Sequence, residues 1–299
     1  MAQLQVNGLQ IEYDTFGDAG NDPVLLIMGL GTQMTAWSLD FCNALVGHGY
    51  YVIRFDNRDI GLSTKFEGAE PPSRLRYLLH HLFNSSLNAP YSLADMADDS
   101  AGVLQALNIE SAHVVGASMG GMIAQLLTVG YPARVRSLTS IMSSSGAPGL
   151  PPPRADVAKH YARRPNVDDP DAMIAHLIRT FQLIGSPGYR RSEDEWRELI
   201  LASVSRSFYP QGFVRQFAAI IADGSRVERL QTIDRPTLVI HGREDPLVPI
   251  ECGIDTAKHI KGAQLEVIEG MGHDIPPPLV DRLTALIAEH ADHSISAAR

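Results

Sequence analysis

The stretch Gly116-Ala117-Ser118-Met119-Gly120 constrains the fold of this chain more than any other. The residues His113-Val114-Val115 precede it and the apolar run 121–127 comes after it, so the pattern predicts a strand, a one-residue elbow and a helix. Glycine is needed on both sides because so tight a reversal brings backbone atoms together where a Cβ atom would clash. We therefore expect Ser118 to stand in a strained turn with an exposed hydroxyl.

A Gly-x-Ser-x-Gly sequence also arises by chance in a chain with 25 glycines, so an ordinary serine is the alternative. The context favours a reactive serine. A strand precedes Ser118, a helix comes after it, and an acid and a histidine come later in the order that such an elbow requires.

The whole chain has 299 residues, which is enough for one large domain with a smaller insertion. Its net charge of −9 and the absence of a Lys/Arg cluster exclude nucleic acid as an expected partner. No apolar run approaches the roughly 20 residues that span a bilayer. The first residues lack a secretory signal and the chain has two cysteines, so we expect a cytoplasmic protein without disulfides.

Apolar runs alternate with helical patterns along most of the chain, which predicts an α/β fold with a mostly parallel sheet flanked by helices. Residues 3–16 read as an opening hairpin around Asn7-Gly8. The strands expected in the sheet are 24–28, 50–55, 113–115, 135–142, 236–242 and 264–268.

A helical insertion is expected in residues 145–230, which leaves 1–144 and 231–299 as the core domain. The Ser/Gly/Pro-rich stretch 143–153 reads as a hinge, and no strand pattern interrupts the rest of the insertion. The alternative is that these helices cover one edge of the sheet. The expected helices are 154–164, 169–184, 192–206 and 211–222, and the tail 291–299 is expected to fray.

Three reactive side chains, Ser118, Asp245 and His273, come directly after the ends of predicted parallel strands. These ends line one crevice in an open α/β sheet, so the three groups should meet there. Histidine is the base that a serine needs near neutral pH, and an acid would hold its tautomer and stabilise its cation. Asp274 is the rival for the acid and His241 is the rival for the base.

Two loops complete the predicted site. The backbone N–H groups of Leu30, which lies between two glycines after a buried strand, and of Met119 are the candidate oxyanion donors. An ordinary glycine loop is the alternative for Leu30. The charged stretch 56–63 after the next strand is expected to fix its own loop through side-chain hydrogen bonds.

The chain resembles the α/β-hydrolase fold family over nearly its full length. The elbow at Ser118, the Gly-Arg-Glu-Asp245-Pro stretch, the Gly-x-Gly-His273 stretch and Asp56-x-Arg-x-x-Gly61-x-Ser63 carry the resemblance. Met28-Gly29 stands where many members have His-Gly, and with the helical insertion the chain is similar to the aclacinomycin methylesterase type of carboxylesterase.

The resemblance implies hydrolysis of a small-molecule ester through an acyl-serine intermediate, without a metal or an organic cofactor. Lactonase, C–C bond hydrolase, acyltransferase and perhydrolase activities use the same triad and stay open. A ligand-binding receptor on the same fold is the alternative from another class.

The predicted substrate pocket combines residues of the insertion with residues of the loop after the first buried strand. The insertion shows no obvious cationic cluster, which favours a small to medium, largely apolar substrate. The sequence predicts no oligomeric state. The pocket candidates are Met28, Met34, Trp37, Phe181, Leu183, Trp196, Phe213 and Phe217.

Overall fold

A computed structural model describes residues 2–83, 85–163 and 169–297. Eight strands in these ranges form one sheet in the order β1-β2-β4-β3-β5-β6-β7-β8. The first two strands run antiparallel to their neighbours and all other pairs are parallel, which confirms the predicted fold class. The strands are β1 (Ala2–Val6), β2 (Leu9–Phe16), β3 (Asp22–Ile27), β4 (Tyr50–Phe55), β5 (Ala112–Ala117), β6 (Val135–Ile141), β7 (Thr237–Gly242) and β8 (Gln264–Ile268).

Helices connect the parallel strands and cover the sheet. Those before β6 are α1 (Leu39–Gly47), α2 (Arg74–Phe83), α3 (Leu93–Ala106) and α4 (Met119–Gly130). Those after it are α5 (Ala155–Tyr161), α6 (Pro170–Ile184), α7 (Glu193–Arg206), α8 (Pro210–Asp223), α9 (Val227–Leu230), α10 (Ile250–His259) and α11 (Val280–Ala297).

The buried strand β3 divides the apolar core into two clusters. Leu25 and Ile27 belong to a cluster with side chains of α3 and α4, whereas Val24 and Leu26 belong to a cluster with side chains of α1 and α11. Successive strand residues point to opposite faces, so one continuous apolar run serves both layers. Because β3 to β8 run parallel, their carboxyl ends lie at one edge of the sheet.

The described residues between β6 and β7 contain only helices and loops. Helices α5 to α8 begin and end within a few residues of the predicted boundaries; the predicted end of the first one, Arg164, lies outside the described residues. Ser192 caps α7 through a capping box with Glu195, and Asp169 caps α6. The helical segment 145–230 is thus built from locally encoded helices.

The C-terminal tail corrects one expectation, because α11 continues through Ala297 where fraying from residue 291 was predicted. Ala291 and Ser294 are 1% and 7% exposed, and the Tyr50 hydroxyl donates to Asp292 Oδ1 at 2.8 Å. Burial and this hydrogen bond hold the last turns against the body. Residues 298–299 lie outside the described residues.

Two further observations concern membrane-spanning helices and the cysteines. Across residues 2–83, 85–163 and 169–297, none of the helices combines the length and the apolar character that a membrane crossing requires. The two cysteines, Cys42 and Cys252, are buried and free.

Candidate active site

The turn between β5 and α4 is the elbow that the sequence predicts. Ser118 has φ +56° and ψ −120°, a conformation that non-glycine residues rarely adopt and that costs about 1–3 kcal/mol. A Cβ atom on Gly116 would overlap the carbonyl oxygen of Gly120, and one on Gly120 would overlap that of Ile27. Both glycines are therefore required by the close passage of strand and helix.

Ser118, His273 and Asp245 form one line of hydrogen bonds. His273 Nε2 lies 2.9 Å from Ser118 Oγ, and His273 Nδ1 lies 2.6 Å from Asp245 Oδ2. With a proton on Nδ1, the ring donates to the carboxylate and leaves Nε2 to accept the serine proton. The structure thus brings together three residues that are 28 to 155 positions apart in the sequence.

The carboxylate of Asp245 is fixed by backbone groups of its own loop. Its Oδ1 accepts hydrogen bonds from the N–H groups of Leu247 at 2.9 Å and Val248 at 2.8 Å. The Oδ2 atom is left to face His273, and the Asp245 side chain has no exposed surface. A buried carboxylate is expensive unless it is paired, and these three partners supply the pairing.

The rival base His241 has a different position. Its Nε2 donates to the Val248 carbonyl at 2.8 Å and lies 3.7 Å from Asp245 Oδ2. Burial lowers the pKa of His241 below the ordinary histidine value, although Asp245 opposes that shift. His241 supports the acid loop and, unlike His273, has no hydrogen bond to Ser118 among the described contacts.

The rival acid Asp274 faces away from the line of the three residues and toward the end of α6. Its Oδ1 accepts the Ser186 N–H at 2.8 Å and the Ser186 hydroxyl, whose Oγ accepts the Gly272 N–H at 2.9 Å. The backbone N–H of His273 donates to the Ile184 carbonyl at 2.7 Å. Residues 184–186, which we call the bracing segment, therefore hold the histidine loop; no sequence signal had marked Ser186.

The two candidate oxyanion donors flank Ser118. The loop after β3, residues 28–33, is called the β3 loop. It passes so close that a Cβ atom built on Gly29 would lie 3.6 Å from Ser118 Oγ, and Leu30 is the next residue. In the part of the chain that the structure describes, neither the Leu30 N–H nor the Met119 N–H donates a hydrogen bond. Both N–H groups can therefore donate hydrogen bonds to a negatively charged oxygen.

Gln216 of α8 fixes the β3 loop and was missed by sequence reasoning. Its Oε1 accepts the Gly31 N–H at 2.9 Å and its Nε2 donates to the Arg58 carbonyl at 2.8 Å. The side chain is fully buried, and its two hydrogen bonds tie α8 to the loops after β3 and β4. A polar residue inside an amphipathic helix carries no signal that it will reach a loop 185 positions away.

The charged stretch 56–63 fixes its loop as predicted, and it also reaches neighbouring elements. Asp56 accepts hydrogen bonds from the Met34 and Leu62 N–H groups and from Arg206 Nη1 at 2.8 Å. Asn57 Nδ2 donates to the Met28 carbonyl at 2.9 Å. Asp59 forms a bidentate ion pair with Arg215 of α8. These contacts tie the loops of β3 and β4 to the helical segment.

The predicted pocket residues fall into three groups rather than one surface. Met28, Met34 and Trp37 are buried. The ring centroids of Trp37 and Phe41 are 4.9 Å apart, so we assign Trp37 to the core. Phe213 lies against Gly31, and its ring is stacked on that of the exposed Phe217. The third group, Phe181, Leu183 and Trp196, lines a separate cavity.

That cavity corrects the expectation that the helical segment has no cationic cluster. Arg154, Arg179, Arg190 and Arg191 are spread over 37 positions of the sequence, and the fold brings all four to its wall.

Comparison with known proteins identifies the family of the chain. The alpha/beta hydrolase fold family matches residues 22–277. Rhodomycin D methylesterase DnrP of Streptomyces peucetius is 28% identical over 297 residues, covering 92% of each chain. The structure is similar to a meta-cleavage product hydrolase from Pseudomonas fluorescens (TM-score 0.76, 23% identity, 98% of each chain). It is also similar to an enol-lactonase from Burkholderia xenovorans (TM-score 0.75, 20% identity, 97% and 100% covered). The chain belongs to the alpha/beta hydrolase fold family.

Proposed function

We propose that this protein is a serine hydrolase that cleaves a carboxylic ester through an acyl-serine intermediate. The observation that carries the proposal is the unbroken line from Ser118 Oγ through His273 to Asp245, with separations of 2.9 and 2.6 Å. A serine hydroxyl is a poor nucleophile by itself, and a histidine in contact with it supplies the missing base.

In the first half-reaction, Ser118 Oγ attacks the ester carbonyl while His273 Nε2 takes the hydroxyl proton. The carbonyl oxygen becomes negative and accepts hydrogen bonds from the N–H groups of Leu30 and Met119, each worth about 3 kcal/mol in comparable sites. The intermediate then collapses to the acyl-serine, and His273 gives its proton to the departing alkoxide, which leaves as the alcohol.

In the second half-reaction, water attacks the acyl-serine carbonyl and gives a proton to His273. The second tetrahedral intermediate collapses to the carboxylic acid, and the proton returns to Ser118 Oγ. Asp245 accepts the Nδ1–H throughout and stabilises the imidazolium in both halves.

The substrate is proposed to be a small to medium, largely apolar ester bound between the β3 loop and the helical segment. Phe213, stacked against Gly31, is the aromatic side chain that supports this position. We propose that residues 145–230 act as a cap over the core formed by 1–144 and 231–299. A cytoplasmic location stays a prediction.

Other reactions of the same triad fit the relatives. An enol-lactonase and a meta-cleavage product hydrolase are among the structural matches, so lactone opening and C–C bond hydrolysis are the second candidates. The methylesterase matches at 28% identity over 92% of the chain, which supports an ester as the first candidate. A receptor that only binds its ligand is the candidate from another class, and the assembled hydrogen-bond line argues against it.

The test is turnover of p-nitrophenyl acetate and p-nitrophenyl butyrate by the wild type and by Ser118→Ala. We expect the variant to lose at least about 10⁴-fold in kcat/KM. Ser137→Ala is the matched control, since Ser137 is a buried serine whose hydroxyl contacts His113 instead of His273. Equal turnover by Ser118→Ala and the wild type would exclude Ser118 as the nucleophile.

A further inference from the structure

Four arginines converge on a cavity of about 500 Å³ that is separate from Ser118. Arg154 precedes α5, Arg179 lies in α6, and Arg190 and Arg191 lie in the loop before α7. Glu244 is the one carboxylate among the residues assigned to its wall. In a chain with net charge −9, this is an unusual concentration of positive charge.

Most of this charge has no counter-ion among the residues that the structure describes. Arg154 pairs with Asp156 at 2.6 Å, but neither Arg179 nor Arg190 forms an ion pair or a hydrogen bond with any residue that the structure describes. Glu244 Oε2 accepts the Gly270 N–H at 2.6 Å, and among the described contacts Glu244 forms no ion pair with these arginines. Two guanidinium groups therefore line the cavity without a carboxylate partner among the described residues.

Arg191 adds an unsatisfied donor to the same wall. Its Nη2 donates to the Ile275 carbonyl at 3.2 Å, but its Nε is buried and has no hydrogen-bond partner among the described residues. A buried donor without a partner costs about 1–3 kcal/mol.

The cavity also has an apolar side, to which Phe181 and Trp196 belong. The rings of Phe181 and Trp196 are stacked with centroids 5.1 Å apart and an interplanar angle of 19°. The Arg191 guanidinium lies 5.2 Å from the Trp196 centroid. Trp196 is only 7% exposed, so the half-buried Phe181 ring supplies the apolar surface beside the positive charge, which suits a planar ring that bears an anionic group.

We propose that this cavity binds a small aromatic carboxylate at a site distinct from the catalytic centre. Arg179 and Arg190 would hold the carboxylate, since guanidinium donors match its two oxygens, and the ring would lie against Phe181. The volume of about 500 Å³ falls within the range of small-molecule sites. The bracing segment separates the cavity from His273, because Gly185 and Ser186 line it while Ile184 accepts the His273 N–H.

The probe is 2-naphthoate, and 2-naphthamide is the matched neutral ligand of the same shape. Isothermal titration of the full-length protein should give saturable one-to-one binding of 2-naphthoate, with at least about tenfold weaker binding of the amide. Equal affinities would overturn the proposal, because the charges would then contribute nothing. Absence of saturable binding would also overturn it.

Variants assign the binding to this cavity. Arg179→Gln combined with Arg190→Gln should raise the Kd for 2-naphthoate at least about tenfold. Both side chains are exposed, so the double variant is expected to fold. Arg197→Gln is the control: Arg197 is the neighbour of Trp196, pairs with Glu193 at 3.3 Å and does not line the cavity. It should leave the Kd within about twofold. An unchanged Kd in the double variant would contradict the assignment.

A last arm separates this site from the proposed function. Protein whose Ser118 carries a fluorophosphonate adduct should bind 2-naphthoate with an unchanged Kd, and the double variant should hydrolyse p-nitrophenyl acetate like the wild type. Loss of binding after modification would place the anion in the catalytic pocket and overturn the proposal. If Ser118 proves unreactive, the titrations and the arginine variants still decide the cavity site by themselves.

Discussion

The proposed catalytic centre and the cavity lined by Arg154, Arg179, Arg190 and Arg191, which we call the arginine cavity, both adjoin the bracing segment. They treat charge in opposite ways. The carboxylate of Asp245 is buried, and it has three hydrogen-bond donors from His273, Leu247 and Val248. The guanidinium groups of Arg179 and Arg190 are exposed, and the described residues offer them no carboxylate.

The difference separates two kinds of polar site. A buried charge with a full set of partners is held in one geometry before any ligand arrives, and fast proton transfer depends on such a fixed geometry. An uncompensated cluster keeps its favourable interactions for a ligand that brings the opposite charge. Substitutions at His273 and Asp245 should therefore have the largest effects on activity. A substitution at Asp274, which contacts the bracing segment, should have the smallest effect.

The largest effect is expected for the base. His273→Gln should reduce kcat/KM for p-nitrophenyl acetate at least about 10⁴-fold, because no other described group forms a hydrogen bond with Ser118 Oγ. His241→Gln is the matched control and should lose less than about tenfold. The reverse order of losses would make His241 the base.

A similar loss is expected for the acid. Asp245→Asn should reduce kcat about 10⁴-fold, since an amide can present its N–H to His273 and favour the wrong tautomer. Asp274→Asn keeps an oxygen for Ser186 and should cost less than about tenfold. Steady-state kinetics of the two variants decide between the carboxylates, and a greater loss in Asp274→Asn would contradict the assignment of Asp245.

A smaller effect is expected from Gln216, which holds the loop of the Leu30 N–H without touching substrate. Gln216→Leu removes the acceptor for Gly31 N–H and should lower kcat about tenfold or more, with a smaller change in KM. Gln216→Glu keeps an acceptor oxygen and should restore part of the loss. If only thermal stability changes in both variants, Gln216 has no positioning role.

The smallest effect concerns stability at the bracing segment. Burial raises the pKa of Asp274 above its ordinary value, so the folded chain holds this proton more tightly than the unfolded chain. Stability from this group is therefore present at low pH and is lost as pH rises through the folded-state pKa. Asp274→Asn cannot lose a proton, so its unfolding free energy relative to the wild type should increase between pH 4.5 and pH 7. Urea unfolding at both pH values measures this; a constant difference would contradict it.

The parts of the site that sequence predicted are those encoded locally. The elbow depends on Gly116 and Gly120 two positions to either side of Ser118, and each is required by a backbone approach within a few residues or by the adjacent strand. Asp245 and His273 were predicted because the ends of parallel strands converge in any sheet of this class. The strands and the helices α5 to α8 were predicted from apolar periodicity and from caps such as Ser192.

The parts that sequence missed depend on contacts between distant segments. The bond from Gly31 to Gln216 joins residues 185 positions apart, and the arginine cavity combines α6 and α7 with three loops. Neither leaves a periodic or spaced pattern. Trp37 shows the same limit, since an aromatic residue after a strand reads alike whether it lines a pocket or packs against Phe41 in the core.

The most direct test of the central claim is mass spectrometry after exposure of the wild type to a fluorophosphonate. We predict one adduct, on the peptide that contains Ser118, with none in Ser118→Ala and much slower labelling in His273→Gln, because the histidine activates the serine. An adduct on another residue, or labelling at the same rate in His273→Gln, would contradict the proposed catalytic centre.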